Sequence, residues 1–186
     1  MRKLKLQVQI TADGYMGGPD GEMDWVTVPW TQDLNDYVDE IWKTVDCIVL
    51  GRRLAEGFIP TWEAGPEGET QESIDQMNNT PKVVISNSLT ESPWRNTVVA
   101  GGDLTEIITG LKREPGGDLI VCGGSTLVRS LIAEDLIDEF HLFVNPVAIG
   151  SGLPVFPAGA HRRLRLVGAR SFDCQITALH FEPRRS

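Results

Sequence analysis

Two glycines and two hydroxyl residues, Gly123-Gly124-Ser125-Thr126, stand between an apolar run and a helical stripe. The run, Leu119 to Cys122, is apolar at every position, as a strand buried on both faces requires. Behind the glycines, Leu127, Val128, Leu131 and Ile132 repeat at helical spacing, with Ser125 placed to cap the helix. A strand, a glycine turn and a helix N-terminus together can seat a phosphate. Glycine lets backbone N–H groups approach the anion, and the helix end offers unpaired donors with a partial positive charge.

Three other strand ends carry similar chemistry. Cys47 to Leu50 ends at Gly51-Arg52-Arg53, Lys82 to Ser86 runs into Asn87-Ser88, and the strand Leu4 to Ile10 runs into the turn-rich segment Asp13 to Gly21. Arginines and small hydroxyl residues around a glycine turn make an anion-binding rim. Ligands of open α/β sheets sit beyond the carboxyl ends of the strands, so these residues predict a dinucleotide site. Read singly, each is ordinary turn or surface chemistry. Candidate acids are Asp13, beside Gly14, and Asp33, in a first helical turn; both residue types are also at home in those local roles. Asp138 and Glu139 read as solvated or subunit-interface residues, and His141 as a sheet residue. A cysteine at a buried strand end is inert, so Cys122 is not read as a nucleophile.

These residues need elements to hold them. Leu4, Leu6, Val8 and Ile10 alternate with polar residues in a first strand. Leu34, Tyr37, Val38, Ile41 and Trp42 mark a helix. The polar stretch 57–80 reads as a long loop with a short helix near Ser73 to Asn78. Thr97 to Ala100 is a further strand, and Asp103-Leu104-Thr105-Glu106 is a capping box opening a helix to Lys112. The helix behind the Gly-Gly turn should end near Asp135. Phe140 to Asn145 is a strand, and Leu164 to Phe172 with Gln175 to Phe181 makes a hairpin. The alternation predicts an α/β fold: three layers, a mostly parallel twisted sheet between helices, and a C-terminal antiparallel hairpin.

At 186 residues, with 41% apolar and 23% charged residues, one globular domain spanning 1–186 is expected. A net charge of −9 argues against a general nucleic-acid surface. No apolar run is long enough for a membrane span and the N-terminus lacks a signal-peptide core, so a cytoplasmic location is expected. Cys47, Cys122 and Cys174 form no Cys-x-x-Cys pair, and His141, His161 and His180 lack ligand spacing, so neither disulfides nor a metal site is expected.

The order of these pieces resembles the dihydrofolate reductase fold, and within it the C-terminal reductase domain of riboflavin biosynthesis (the RibD C-terminal family) as a stand-alone member. The carriers are Thr11-Ala12-Asp13-Gly14-Tyr15, Gly21-Glu22-Met23-Asp24-Trp25, Val49-Leu50-Gly51-Arg52, Val84-Ile85-Ser86, Gly123 to Leu127, Leu136-Ile137-Asp138-Glu139 and Asn145 to Gly152. The resemblance implies an NADPH-dependent reductase, homodimeric, acting on a small molecule. Gly51, Arg52 and Ser86, with Arg53 and Asn87 adjacent, would contact the adenosine phosphates, and Gly123, Gly124, Ser125, Thr126 and Leu127 the pyrophosphate. The loop from Asp13 through Tyr15 to Trp25 would close over the nicotinamide, and Tyr15, Trp25 and Cys122 would line the substrate pocket. Two departures stand out. Cys122 occupies the place where the riboflavin enzymes carry a glutamate, and Asp33 matches the acid of dihydrofolate reductases only across an insertion. Dihydrofolate reductase activity and a non-catalytic nucleotide-binding dimer are the other readings.

Overall fold

The computed structural model describes residues 1–159 and 161–184. The described residues form eight strands in one sheet and five helices. In chain order these are β1 (Leu4–Thr11), α1 (Gln32–Trp42), β2 (Val45–Gly51), α2 (Arg52–Ala64), α3 (Gln71–Asn79), β3 (Lys82–Ile85), β4 (Thr97–Ala100), α4 (Leu104–Arg113), β5 (Asp118–Val121), α5 (Ser125–Ala133), β6 (Glu139–Asn145), β7 (Leu164–Ser171) and β8 (Thr177–Pro183). The sheet order is β4-β3-β2-β5-β1-β6-β8-β7. The first six strands in that order are parallel, β8 runs antiparallel to β6, and β7 antiparallel to β8, as the hairpin reading requires.

The pleat sends alternate residues to two cores. Leu4, Leu6 and Val8 of β1, Val49, Leu119 and Leu142 meet α4 and α5 through Ile108, Val128 and Leu131. On the other face Ile48, Leu50, Ile120 and Phe143 meet α1 and α2 through Leu34, Ile41, Trp42, Ala55 and Ile59. The polar residues of β1 lie on this second face of a central strand, where each finds a partner. Lys5 Nζ donates to the carbonyl of Ile41 at 3.1 Å and to Thr44 Oγ1 at 2.7 Å. Gln7 Oε1 accepts from Trp42 Nε1 at 2.8 Å, and Gln9 Oε1 from Asn145 Nδ2 at 2.8 Å.

The stretch 57–80 differs from the expected loop. Helix α2 runs on to Ala64 through Gly57 and Pro60, and α3 takes up Gln71–Asn79. Gly57 and Pro60 hide the stripe Leu54, Ala55, Phe58, Ile59, whose packing against the core with β2 and β3 outweighs their low helix propensity. Thr61 Oγ1 donates back to the Gly57 carbonyl at 2.8 Å inside this helix. Helix α4 starts as the capping box predicts, with Asp103 accepting from the Glu106 N–H at 2.9 Å. Helix α5 stops at Ala133, ahead of Asp135. None of the described helices is long and apolar enough to cross a membrane.

Candidate nucleotide site at the carboxyl edge

Strands β2 and β5 are neighbours, and a helix leaves each one at the same edge. Gly123 (φ 150°) and Gly124 (φ 82°, ψ 89°) turn the chain out of β5 in conformations that favour glycine. Gly124 itself caps α5, and Ser125 is the first helical residue rather than the cap. The left-handed turn needs a residue without Cβ at that position. Gly51 likewise caps α2, and a Cβ there would lie 3.4 Å from Leu127 Cβ. Leu54 lies against the glycine turn from α2, with Leu54 atoms 3.6 Å from the place of a Cβ on either glycine. The first turns of α2 and α5 are therefore held side by side.

These two helix starts differ from the other three. Helices α3 and α4 start on side-chain caps, Thr70 and Asp103, with Glu72 and Glu106 in their first turns. Helix α1 carries Asp33 in its first turn. Helices α2 and α5 have a glycine cap and no acidic residue in the first turn, and α2 begins with Arg52 and Arg53. Cations at a helix N-terminus oppose the macrodipole, and the first-turn N–H groups of both helices have no side-chain cap. An anion placed there relieves both. Arg52 reaches the exposed Glu56 at 2.7 Å, and Arg53 is exposed without an ion pair among the described residues.

At the ends of β3 and β4 the polar groups build turns. Ser86 Oγ accepts from the amides of Ser88 and Leu89 at 3.2 and 3.1 Å. Asn87 Oδ1 accepts from the Gly102 amide at 2.7 Å, tying the end of β3 to the start of the α4 loop. Gly101 lies so close that a Cβ would fall 3.0 Å from the Ser86 carbonyl oxygen.

The candidate acids sit on the other side of the same edge, and both are engaged. Asp13 accepts from the amides of Gly150 at 2.7 Å and Ile149 at 3.3 Å. The Thr11 hydroxyl first, and then these amides, hold its carboxyl below the ordinary range. Asp33 accepts from Thr31 Oγ1 at 2.5 Å and from the Asp173 amide at 3.2 Å. The Thr31 bond dominates in lowering its carboxyl as well. Tyr15 pairs with Pro154, and its hydroxyl lies 3.5 Å from the Gly150 carbonyl. Trp25 Nε1 donates to the Glu22 carbonyl at 3.1 Å within its own loop. Cys122 packs against the α1-face core; burial pushes its thiol up to about 12, so it is protonated at neutral pH.

Two residues that the sequence reading passed over shape this side. Asn145 is fully buried at the end of β6; its Oδ1 accepts from the Thr27 amide at 2.8 Å and fixes the segment that leads into α1. Trp30 stacks on Phe143 with centroids 6.5 Å apart and planes at 11°, and its buried Nε1 has no partner. The Pro29-Trp30 pair ahead of an amphipathic helix was the available signal for Trp30.

The sequence matches the model of the RibD C-terminal domain family over residues 2–178. It is 30% identical to the Bacillus subtilis protein YwjB, itself uncharacterized, over 181 residues covering 97% of both chains. Among solved structures it is similar to a protein from Shewanella sp. PV-4 assigned to riboflavin biosynthesis, with TM-score 0.77, 22% identity and full coverage of both chains. It is also similar to dihydrofolate reductase from Enterococcus faecalis, with TM-score 0.62, 17% identity and coverage of 98% and 97%. These likenesses show a dihydrofolate reductase-like fold.

Proposed function

The chain belongs to the RibD C-terminal domain family, and from that premise we propose that it is an NADPH-dependent reductase transferring hydride to a small heterocyclic or imine substrate. The activity would be related to that of 5-amino-6-(5-phosphoribosylamino)uracil reductases, a description carried by a Thermotoga maritima structure of similar fold. The observation that carries the reading is the pair of helix starts, α2 and α5, capped by glycine and left without acid. Gly123, Gly124, Ser125, Thr126 and Leu127 would hold the pyrophosphate with backbone donors. Gly51, Arg52, Arg53, Ser86 and Asn87 would take the adenosine phosphates, the guanidinium groups supplying charge-assisted bonds.

When bound, NADPH supplies the hydride. The chain's own part is to position, exclude water and manage a proton. Tyr15, Trp25 and Cys122 are proposed to line the substrate pocket, and Trp30 Nε1 offers it a further donor. Asp13 and Asp33 are the candidate catalytic carboxylates. Each would act ionised, orienting a substrate N–H or a water, because each is held below the ordinary carboxyl range. A homodimer fits the outer strand β7, which is exposed along its length with Leu166 and Val167 open.

A screen of NADPH oxidation against pyrimidines, pterins, flavins and imines tests the reading. Turnover of a related heterocycle or imine is expected. The phosphoribosylamino-pyrimidine should be a poor substrate because Cys122 supplies it no carboxylate, and dihydrofolate because Asp33 matches the acid of dihydrofolate reductases only across an insertion. A kcat/KM above about 10⁴ M⁻¹s⁻¹ on either one would contradict that specificity. One observation favours a second reading, a nucleotide-binding protein without turnover: both candidate acids already have partners. Tight NADPH binding with no oxidation across the screen would select it.

A further inference from the structure

Away from the nucleotide edge, three ligand-type side chains converge on the α1 face of the sheet. His141 on β6 lies directly across the ladder from His180 on β8, and Glu139 lies two residues before His141 on the same face. Glu139 Oε2 is 3.2 Å from His141 Nε2 and 3.8 Å from His180 Nε2. One donor atom from each residue falls within 4.8 Å of the others. The two imidazoles stack with centroids 4.3 Å apart. The cluster is buried: the side chains of His141, Glu139 and His180 are 6%, 10% and 19% exposed. Yet His180 Nε2, the nitrogen beside Glu139 Oε2, has no hydrogen-bond partner. Buried polar nitrogens without partners are rare and call for an explanation.

We propose that Glu139, His141 and His180 form a binding site for a divalent transition-metal ion of the zinc class. Two imidazoles and a carboxylate are a donor set such ions take, leaving a fourth position for water. Lys3 bonds Glu139 Oε1 at 2.5 Å, which orients the carboxylate while Oε2 faces the rings. The ammonium is also a like charge near the ion, so the site should bind more weakly than an all-neutral surround would. Linear spacing hides the site: His141 and His180 are brought together only by the antiparallel pairing of β6 with β8. The site lies about 13 Å down β6 from Asn145, at about 3.3 Å per residue, so it is independent of the reductase reading.

The test is titration of tag-free, metal-stripped protein with Zn²⁺, and with Co²⁺ read by its visible absorption, alongside His180→Ala, Glu139→Gln and His161→Ala. The native protein and His161→Ala should each bind one ion per chain, with the absorption of a low-coordinate cobalt site. His180→Ala and Glu139→Gln should bind at least about 10-fold more weakly, since losing even an outer-shell partner costs that much. NADPH binding should be the same with and without the ion. Native protein that is folded but takes up no stoichiometric ion would overturn the proposal. So would undiminished binding by both ligand variants.

Discussion

At the amino edge of the sheet Lys112 Nζ meets Asp138 at 2.5 Å, Lys5 meets Asp118 at 3.2 Å, and the buried Arg2 guanidinium pairs with Asp46. At the carboxyl edge Arg52 has only the exposed Glu56 one turn along, and Arg53 has no ion pair among the described residues. The contrast extends to the backbone. Arg2 Nε donates to the Gly117 carbonyl at 2.6 Å, and Lys112 Nζ to that of Leu136 at 2.5 Å, so charged groups close the amino edge. The glycine-capped helix starts of the carboxyl edge have no such side chain. Charges that a fold needs for its own integrity are satisfied within the chain, and charges reserved for a ligand are left open. The first kind should respond to mutation through stability, the second through binding.

The largest expected effect is at the closed edge. Asp118→Ala takes the carboxylate from Lys5, whose side chain is 8% exposed, and removes an acceptor from the Lys3 amide and the Thr44 hydroxyl. It should cost about 3–5 kcal/mol of unfolding free energy, the range for breaking a buried pair. Urea denaturation would measure this, and the NADPH dissociation constant should stay unchanged. A weakened cofactor with intact stability would break the comparison.

Next comes Gly124→Val at the open edge. A β-branched residue resists φ 82° and fills space the pyrophosphate needs. Cofactor binding should fall by at least about 100-fold, about 2.7 kcal/mol, in a protein that still unfolds cooperatively. Quenching of tryptophan fluorescence by NADPH would report it. Normal binding by the folded variant would place the phosphates elsewhere.

Replacing Arg52 and Arg53 by Ala should weaken NADPH by about 1.5–3 kcal/mol for each charged bond lost while leaving NADH nearly untouched, if the additional phosphate is the arginines' partner as proposed. Isothermal titration with both cofactors separates the two terms. Equal losses would mean the arginines serve general charge rather than specificity.

The smallest effect is in acid. Burial would raise the Asp118 carboxyl, but the Thr44 hydroxyl, the Lys3 amide and Lys5 together hold it below its ordinary value. A depressed carboxyl stabilises the fold above its unfolded pKa, about 3.9, and that contribution fades as pH falls through the lower folded value. Asp118→Asn should therefore flatten the loss of stability below about pH 4. An unchanged acid limb would show that other carboxylates govern it.

The open edge was more legible in the sequence than the closed one. Gly51, Arg52, Gly123 and Gly124 announce themselves because a glycine turn between a strand and a helix is a local pattern. The alternation of Leu4, Leu6, Val8 and Ile10 gave away the first strand for the same reason. What local pattern cannot show is pairing across the chain. Asp138 and Glu139 read as solvated or interface residues, yet Asp138 pairs with Lys112 and Glu139 with Lys3, partners distant in sequence. The engagement of Asp13 by Gly150 and of Asp33 by Asp173 spans similar distances. Helix α2 was obscured differently: Gly57 and Pro60 signal a break, and only burial of Ala55 and Ile59 overrides it.

We propose that NADPH binds at the carboxyl edge, opened by its two glycine-capped helices. Backbone amide hydrogen exchange with and without saturating NADPH tests it most directly. New protection is expected at residues 51–54 and 123–127, with unchanged exchange at residues 2–5, 112–118 and 138–139. Protection confined to the amino edge, or none at either glycine turn under saturating cofactor, would contradict it.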